Sequence, residues 1–303
     1  MNFLFASYLC VMYYRRKVIL ALLQNFGGSL EKTQLQELLL LFTQKQENPD
    51  YYFVPYQYGC YSFQAVADIS TMQKYGQVKE KDSRIEKADT SDYINLLHEK
   101  DQIALTELHR QHAHRSDKDL ARYTYTHYPY FATHNEMAGN YPEARKLKKA
   151  AGHSSSKTIL YTIGYEGISL EQYLNKLIEN DIKLLIDVRN TPMSRKFGFT
   201  KSQLQRACAT VETEYLHLPE VGIIPEQRQQ LVTAADYDKM FARYRKNTLP
   251  HTIATQEKIL GLLKEKKRIA LTCYEADADR CHRKHLADAI LQLPGWHYKL
   301  IHL

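Results

Sequence analysis

Eleven consecutive residues, 273–283, hold two cysteines (Cys273, Cys281), a histidine (His282), two arginines (Arg280, Arg283) and three carboxylates (Glu275, Asp277, Asp279). A set this dense is open to several chemistries. A cysteine at a helix N-terminus with cations nearby has a lowered pKa and attacks electrophiles, a role that falls to Cys281 with His282 beside it. A phosphate cradle would need Cys-x5-Arg, but Cys273 has Asp279 at that place and Arg280 one later, and the three carboxylates would repel a phosphate. Cys273, Cys281 and His282 are zinc-binding residue types, with Glu275 beside them as acid/base. Their spacing is not a known zinc signature, so no metal is assigned from the sequence. A further reading makes the cysteines small packing residues and gives the work to carboxylates: Asp187 or Glu275 activates water as general base. This one is placed first, because strand-end carboxylates beside arginines suit hydrolytic work on an anionic substrate.

A second group lies upstream: Asp187, Arg189, Arg195 and Lys196. With Arg280 and Arg283 these cations can surround an anion, most naturally a phosphate, which guanidinium binds bidentately. An ion pair between Asp187 and Arg189 that merely ties two loops is the competing expectation.

The elements that must position these groups follow from periodicity. Short apolar runs at 158–163, 184–188, 214–218, 269–273 and 298–303 read as strands. Helical patterns separate them, over about 169–178, 200–211, 236–246, 251–265 and 281–293. Strands alternating with helices imply βαβ units, a mainly parallel sheet and helices on both faces. Asp187, Arg189, Cys273 and Glu275 then stand at carboxyl ends of strands, the edge where such sheets bind ligands. The helix starting at Cys281 turns its free N–H groups toward that edge.

Five motifs occur in order here: Tyr161-Thr-Ile-Gly-Tyr-Glu-Gly167, Asp187-Val-Arg189, Pro192-Met-Ser-Arg195, Cys273-Tyr-Glu275 and Cys281-His-Arg283. Together they resemble the domain-of-unknown-function family 488 over residues 158–303. The resemblance implies an α/β domain, often encoded near DNA-handling genes, and brings no settled reaction.

The N-terminal half has a different texture. Apolar residues at helical spacing over 14–26 stop at Gly27-Gly28, Thr33 is a cap for a second helix, and Ser62 is a cap for a third that closes at Gly76. Residues 78–85 read as a charged hairpin. Three helices and a hairpin give a mainly α, winged-helix-like domain at 12–88. The stretch Tyr52-Phe-Val-Pro-Tyr-Gln-Tyr-Gly-Cys-Tyr-Ser62 resembles winged-helix-like segments of phage- and antitoxin-associated proteins. Its third helix would read a DNA groove, although Lys74 is the sole cation on it, against Asp68; a protein-binding module is the alternative. Residues 89–150 read as a helical connector with Ser91 and Ser116 as caps, and 151–157 as a linker. His109, His112 and His114 cluster on it without a fourth ligand, and a solvated helix face is the expectation.

Composition bounds the rest. The 303 residues suffice for two domains, and 44% apolar with 25% charged residues is a globular balance. A formal charge of +7 permits nucleic acid as a partner without demanding it. Five irregularly spaced cysteines make no disulfide framework, so a cytoplasmic setting is expected. The first fourteen residues are apolar, but the run is too short to span a bilayer and the positive cluster Arg15-Arg16-Lys17 follows it instead of preceding it, so neither a signal peptide nor a membrane helix is expected; residues 1–11 should add little to the fold. The expected function is an enzyme that acts on nucleic acid or a nucleotide-like anion, with hydrolysis as its reaction, and is targeted by the N-terminal module. The alternative is a non-catalytic nucleic-acid-binding or ligand-sensing protein. The sequence names no cofactor and no oligomeric state.

Overall fold

The computed structural model describes residues 12–134, 142, 145, 146, 157–228 and 231–303. Two compact units, Met1–Lys149 and Ala150–Leu303, divide the chain. The expectations for residues 1–11 and for the linker at 151–156 lie outside the described residues.

In the first unit the elements run α1 (Tyr14–Asn25), β1 (Ser29–Glu31), α2 (Lys32–Thr43), β2 (Val54–Tyr56), β3 (Gly59–Tyr61), α3 (Phe63–Lys74), β4 (Val78–Lys81), β5 (Arg84–Lys87), α4 (Glu99–His112) and α5 (Asp117–His127). Helix α1 is buried from Val18 to Leu23 on every side, as a helix apolar all round must be. The hairpin β4–β5 is joined by β1 into an antiparallel sheet of order β1-β5-β4. Ser62 and Ser116 cap α3 and α5, each hydroxyl accepting a backbone N–H from the first turn. Two expected caps are displaced. Helix α2 begins one residue before Thr33, with Glu31 at the cap position, and α4 begins at Glu99 with His98 there, well past Ser91. The stretch 89–150 is more than a connector, because Leu105, Leu108 and Leu120 lie in the same core as α1 and α2.

The second unit runs β6 (Ile159–Gly164), α6 (Leu170–Glu179), β7 (Leu184–Asp187), α7 (Lys201–Thr210), β8 (Glu214–His217), α8 (Ala234–Arg243), α9 (Ile253–Lys266), β9 (Arg268–Cys273), α10 (His282–Leu291) and β10 (Lys299–His302). The five strands form a fully parallel sheet of order β10-β6-β9-β7-β8. Side chains alternate between its faces. Leu184, Ile186, Ile269, Leu271 and Cys273 join a core with residues of α8, α9 and α10. On the opposite face the hydroxyl of Tyr173 on α6 donates to Thr272 Oγ1 at 2.7 Å. Helices therefore cover both faces, as the alternating pattern required. Helix α6 is set by a full capping box, Ser169 with Gln172. Register places Gly164 opposite Cys273, and Asp187 opposite Thr272 and His217. That brings the ends of four strands to one edge. Among the described residues no helix is long and apolar enough to cross a membrane.

Candidate functional site

Asp187 and Arg189 form a closed unit at the end of β7. Asp187 Oδ1 accepts from Arg189 Nε at 2.8 Å and from its backbone N–H at 3.1 Å. Oδ2 accepts from Arg189 Nη2 at 2.5 Å and from the Tyr215 hydroxyl at 2.6 Å. Arg189 Nη1 donates to the hydroxyl of Tyr165 (2.7 Å) and to the Phe199 carbonyl (2.9 Å). Both side chains are buried, Asp187 completely. Burial works against the charge on Arg189, but the hydrogen bonds and charge of Asp187 outweigh it and raise the guanidinium pKa. All four acceptor positions of Asp187 are used. The expected general base thus has no lone pair left for water, and the loop-tying ion pair is what the fold builds.

The cysteines meet on the other face of the sheet. Cys273 ends β9, and Cys281 is the cap residue of α10. Cys273 Sγ lies 3.6 Å from His282 Nδ1 and donates to Glu275 Oε2 at 3.3 Å. Cys281 Sγ is 4.0 Å from the same nitrogen. His282 Nε2 is 3.0 Å from the carbonyl of Val188, an acceptor only, so Nε2 carries the proton and Nδ1 presents its lone pair to both sulfurs. The two sulfurs and Nδ1 all lie within 4.8 Å of one another, the only such metal-competent group among the described residues. Cys281 is 1% exposed. Burial, followed by the hydrogen bond and charge of Cys273, drives its thiol well above the ordinary value. That overrides the helix N-terminus and opposes the expectation of an ionised nucleophile.

The two arginines near this helix have separate fates. Arg283 is fully buried and donates to the backbone carbonyls of Glu275 and, at 3.0 Å, Ala276. It clamps the loop after β9, and so does not face an anion as expected. Arg280 is exposed and pairs at 3.7 Å with Asp277. Arg195, by contrast, is exposed beside the strand ends.

Arg195 borders a cleft of about 400 Å³, whose wall includes Tyr165, Arg189, Asn190, Ser194, Cys273 and Tyr274. Tyr274 is 43% exposed and meets the Tyr165 ring edge-on at 5.3 Å. Lys196 turns away, donating to the Tyr165 carbonyl at 2.7 Å. Two glycines let the rim close. A Cβ at Gly164 would meet the Glu275 carbonyl oxygen at 1.8 Å, and one at Gly222 the Asn190 nitrogen at 2.2 Å. Tyr165, Tyr274 and Asn190 were not singled out from the sequence. The first two sit inside the quoted motifs, which was the available signal.

The histidines at 109 and 112 serve packing. His109 meets Phe26 edge-on at 5.1 Å, and His112 is 4% exposed against Tyr123. The first unit also holds a groove of about 650 Å³, lined by Tyr56, Tyr58, Tyr61, Val66, Ile69 and Cys60 among others.

Residues 169–290 match the family model described as Domain of unknown function DUF488. The match lies within the C-terminal unit, in line with the resemblance its motifs carry, while the motif at 161–167 and the N-terminal unit lie outside it. No curated protein and no solved structure matches the chain.

Proposed function

From a C-terminal unit that matches the DUF488 family model, we propose a cytoplasmic enzyme that acts on nucleic acid or a nucleotide-like anion, by hydrolysis. The observation that carries the reading is the cleft at the sheet edge. It joins an exposed guanidinium (Arg195) and an exposed aromatic ring (Tyr274) to Cys273, whose thiol donates to Glu275. A guanidinium suits a phosphate and a tyrosine ring suits a base. Glu275 is the proton acceptor in this scheme, and Asp187 only positions Arg189.

The N-terminal unit is, in the same proposal, a winged-helix-like targeting module. Its order of helix, strand, helix, short hairpin, helix and second hairpin supports this, with α3 as the groove-reading helix. Two cations that could grip phosphates are spent inside the fold: Arg15 and Arg16 both pair with the buried Asp68 of α3. A second reading, a non-catalytic ligand sensor, is favoured by one observation, the complete saturation of Asp187.

The test pairs two variants on the full chain, assayed with labelled DNA, RNA and nucleotides over a salt series. Arg195→Ala should weaken binding by about 10–100-fold, the worth of a charge-assisted hydrogen bond, and lower the salt slope. Glu275→Gln should retain binding and lose turnover. Unchanged binding in Arg195→Ala sinks the cleft as the binding site. Binding without turnover in the wild type leaves the sensor.

A further inference from the structure

We infer that Cys273, Cys281 and His282 bind one zinc ion through three protein ligands, leaving a fourth coordination position on the side of Glu275. The inference concerns the ion alone and stands or falls apart from turnover in the cleft.

Geometry is the first support. Zinc lies about 2.3 Å from a thiolate and about 2.0–2.1 Å from an imidazole nitrogen, so the sulfur–nitrogen edge of its tetrahedron is about 3.6 Å. Cys273 Sγ and His282 Nδ1 stand 3.6 Å apart. Cys281 Sγ, at 4.0 Å from the same nitrogen, needs to move by a few tenths of an ångström. All three atoms are buried, on the end of β9 and the first turn of α10, which are rigid elements held in the core.

The imidazole is also wired as a ligand. A metal-binding histidine almost always donates its second N–H to a carbonyl or carboxylate, which fixes the tautomer and aims the ring. His282 Nε2 does this to the Val188 carbonyl across the sheet. The ring is further held edge-on against Tyr244, whose own hydroxyl is fixed on the Val221 carbonyl. Nδ1 is left pointing at two sulfurs, a weak hydrogen-bonding arrangement at these distances and a strong coordinating one.

Charge and selectivity agree. Two thiolates cancel the dication, and a bound dication itself drives the proton off each coordinating thiol. Glu275, which touches Cys273 at 3.3 Å, stands outside the compact set of three. It can hold a water on the open position, the arrangement of three ligands plus solvent found in catalytic zinc sites. Arg283 holds the carbonyl of Glu275 and so fixes the loop on which that carboxylate sits. Thiolate ligands select zinc over magnesium or calcium.

The experiment is metal analysis of the full chain purified with thiols reduced, followed by replacement of zinc with cobalt(II). About one zinc per chain is expected. The cobalt form should show a sulfur-to-cobalt charge-transfer band and the intense visible bands of a tetrahedral site. Cys281→Ala and His282→Ala should each lose the ion, while Cys208→Ala, a buried cysteine of α7 outside the cluster, keeps it. A folded wild type that takes up neither zinc nor cobalt overturns the inference. So does zinc held equally well by folded Cys281→Ala and His282→Ala chains. Should those variants not fold, the wild-type cobalt spectrum decides: weak octahedral bands without charge transfer reject the thiolate site.

Discussion

Asparagine at position 187 keeps the shape of the side chain and removes the charge that Arg189 faces. Because the pair is buried and Arg189 has no solvent to turn to, Asp187→Asn should destabilise the C-terminal unit by about 3–5 kcal/mol, read in urea melts. Glu275→Gln, at a half-buried position, should cost under about 1 kcal/mol. If Asp187→Asn melts with the wild type, the ion pair contributes nothing and the carboxylate is available for chemistry after all. The contrast explains what the sequence could not rank. Asp187 and Glu275 both stand at or just past a strand end, with arginines close in sequence, yet their surroundings come from distant segments: Tyr215 closes over Asp187, and Tyr165 and Phe199 hold its partner Arg189. Arg283 misled for a similar reason. A cation on the first turn of a helix reads as an anion ligand, but the fold brings two loop carbonyls to it first. Its Nε is left buried without a partner, a cost accepted for that clamp.

At the scale of elements, the loop after β9 is strapped to the segment after β6. The Tyr274 carbonyl accepts N–H groups from Tyr165 (3.0 Å) and Glu166 (2.9 Å), and Ala276 N–H donates to Glu166 Oε2 (3.0 Å). The strap needs Gly164, since any Cβ there collides with the Glu275 backbone. Gly164→Ala should therefore destabilise by about 1–3 kcal/mol, as overpacking does, and should displace Glu275 enough to abolish function in chains that still fold. Wild-type stability with wild-type activity would show that the loop is free to move aside. Most of this level was legible beforehand. The five strands, the helices between them and the caps Ser62 and Ser116 followed from period and residue type. Strand β1 did not, because three residues are too few to display an alternation. Thr33 and Ser91 failed as caps because a hydroxyl marks a helix start only where the backbone turns, and tertiary packing moved both starts.

At the scale of the whole molecule, each unit has its own core, and one of them carries a pH-dependent liability. Glu37 on α2 is 4% exposed, and burial, followed by the charge of Asp117, pushes its pKa up to about 8. An acid whose pKa is raised by folding binds more protons folded than unfolded, so stability falls as pH rises from about 4.5 toward 8. His112, pushed down to about 4 by burial and then by the charge of Arg115, acts in the opposite sense below its unfolded value near 6.5. Above that value Glu37 acts alone of the two. From pH 6.5 to 8 the N-terminal unit should lose on the order of 2 kcal/mol, and Glu37→Gln should flatten the curve in calorimetric melts at the two pH values. A wild type with no slope in that window disproves the buried charge. The sheet of the other unit has a consequence of a kinetic kind. Strand β6 is flanked by β9 and β10, and Ile159 pairs with Arg268 on one side and Lys299 on the other. On a ribosome β6 emerges long before either neighbour exists, and β7 and β8 can pair only with each other until β9 arrives to join the two halves. Contacts so distant in sequence make folding slow, so throughout that interval the apolar strand with the residues Ile159, Leu160 and Ile163 waits without a partner, the point in the protein's life at which a chaperone has most to do.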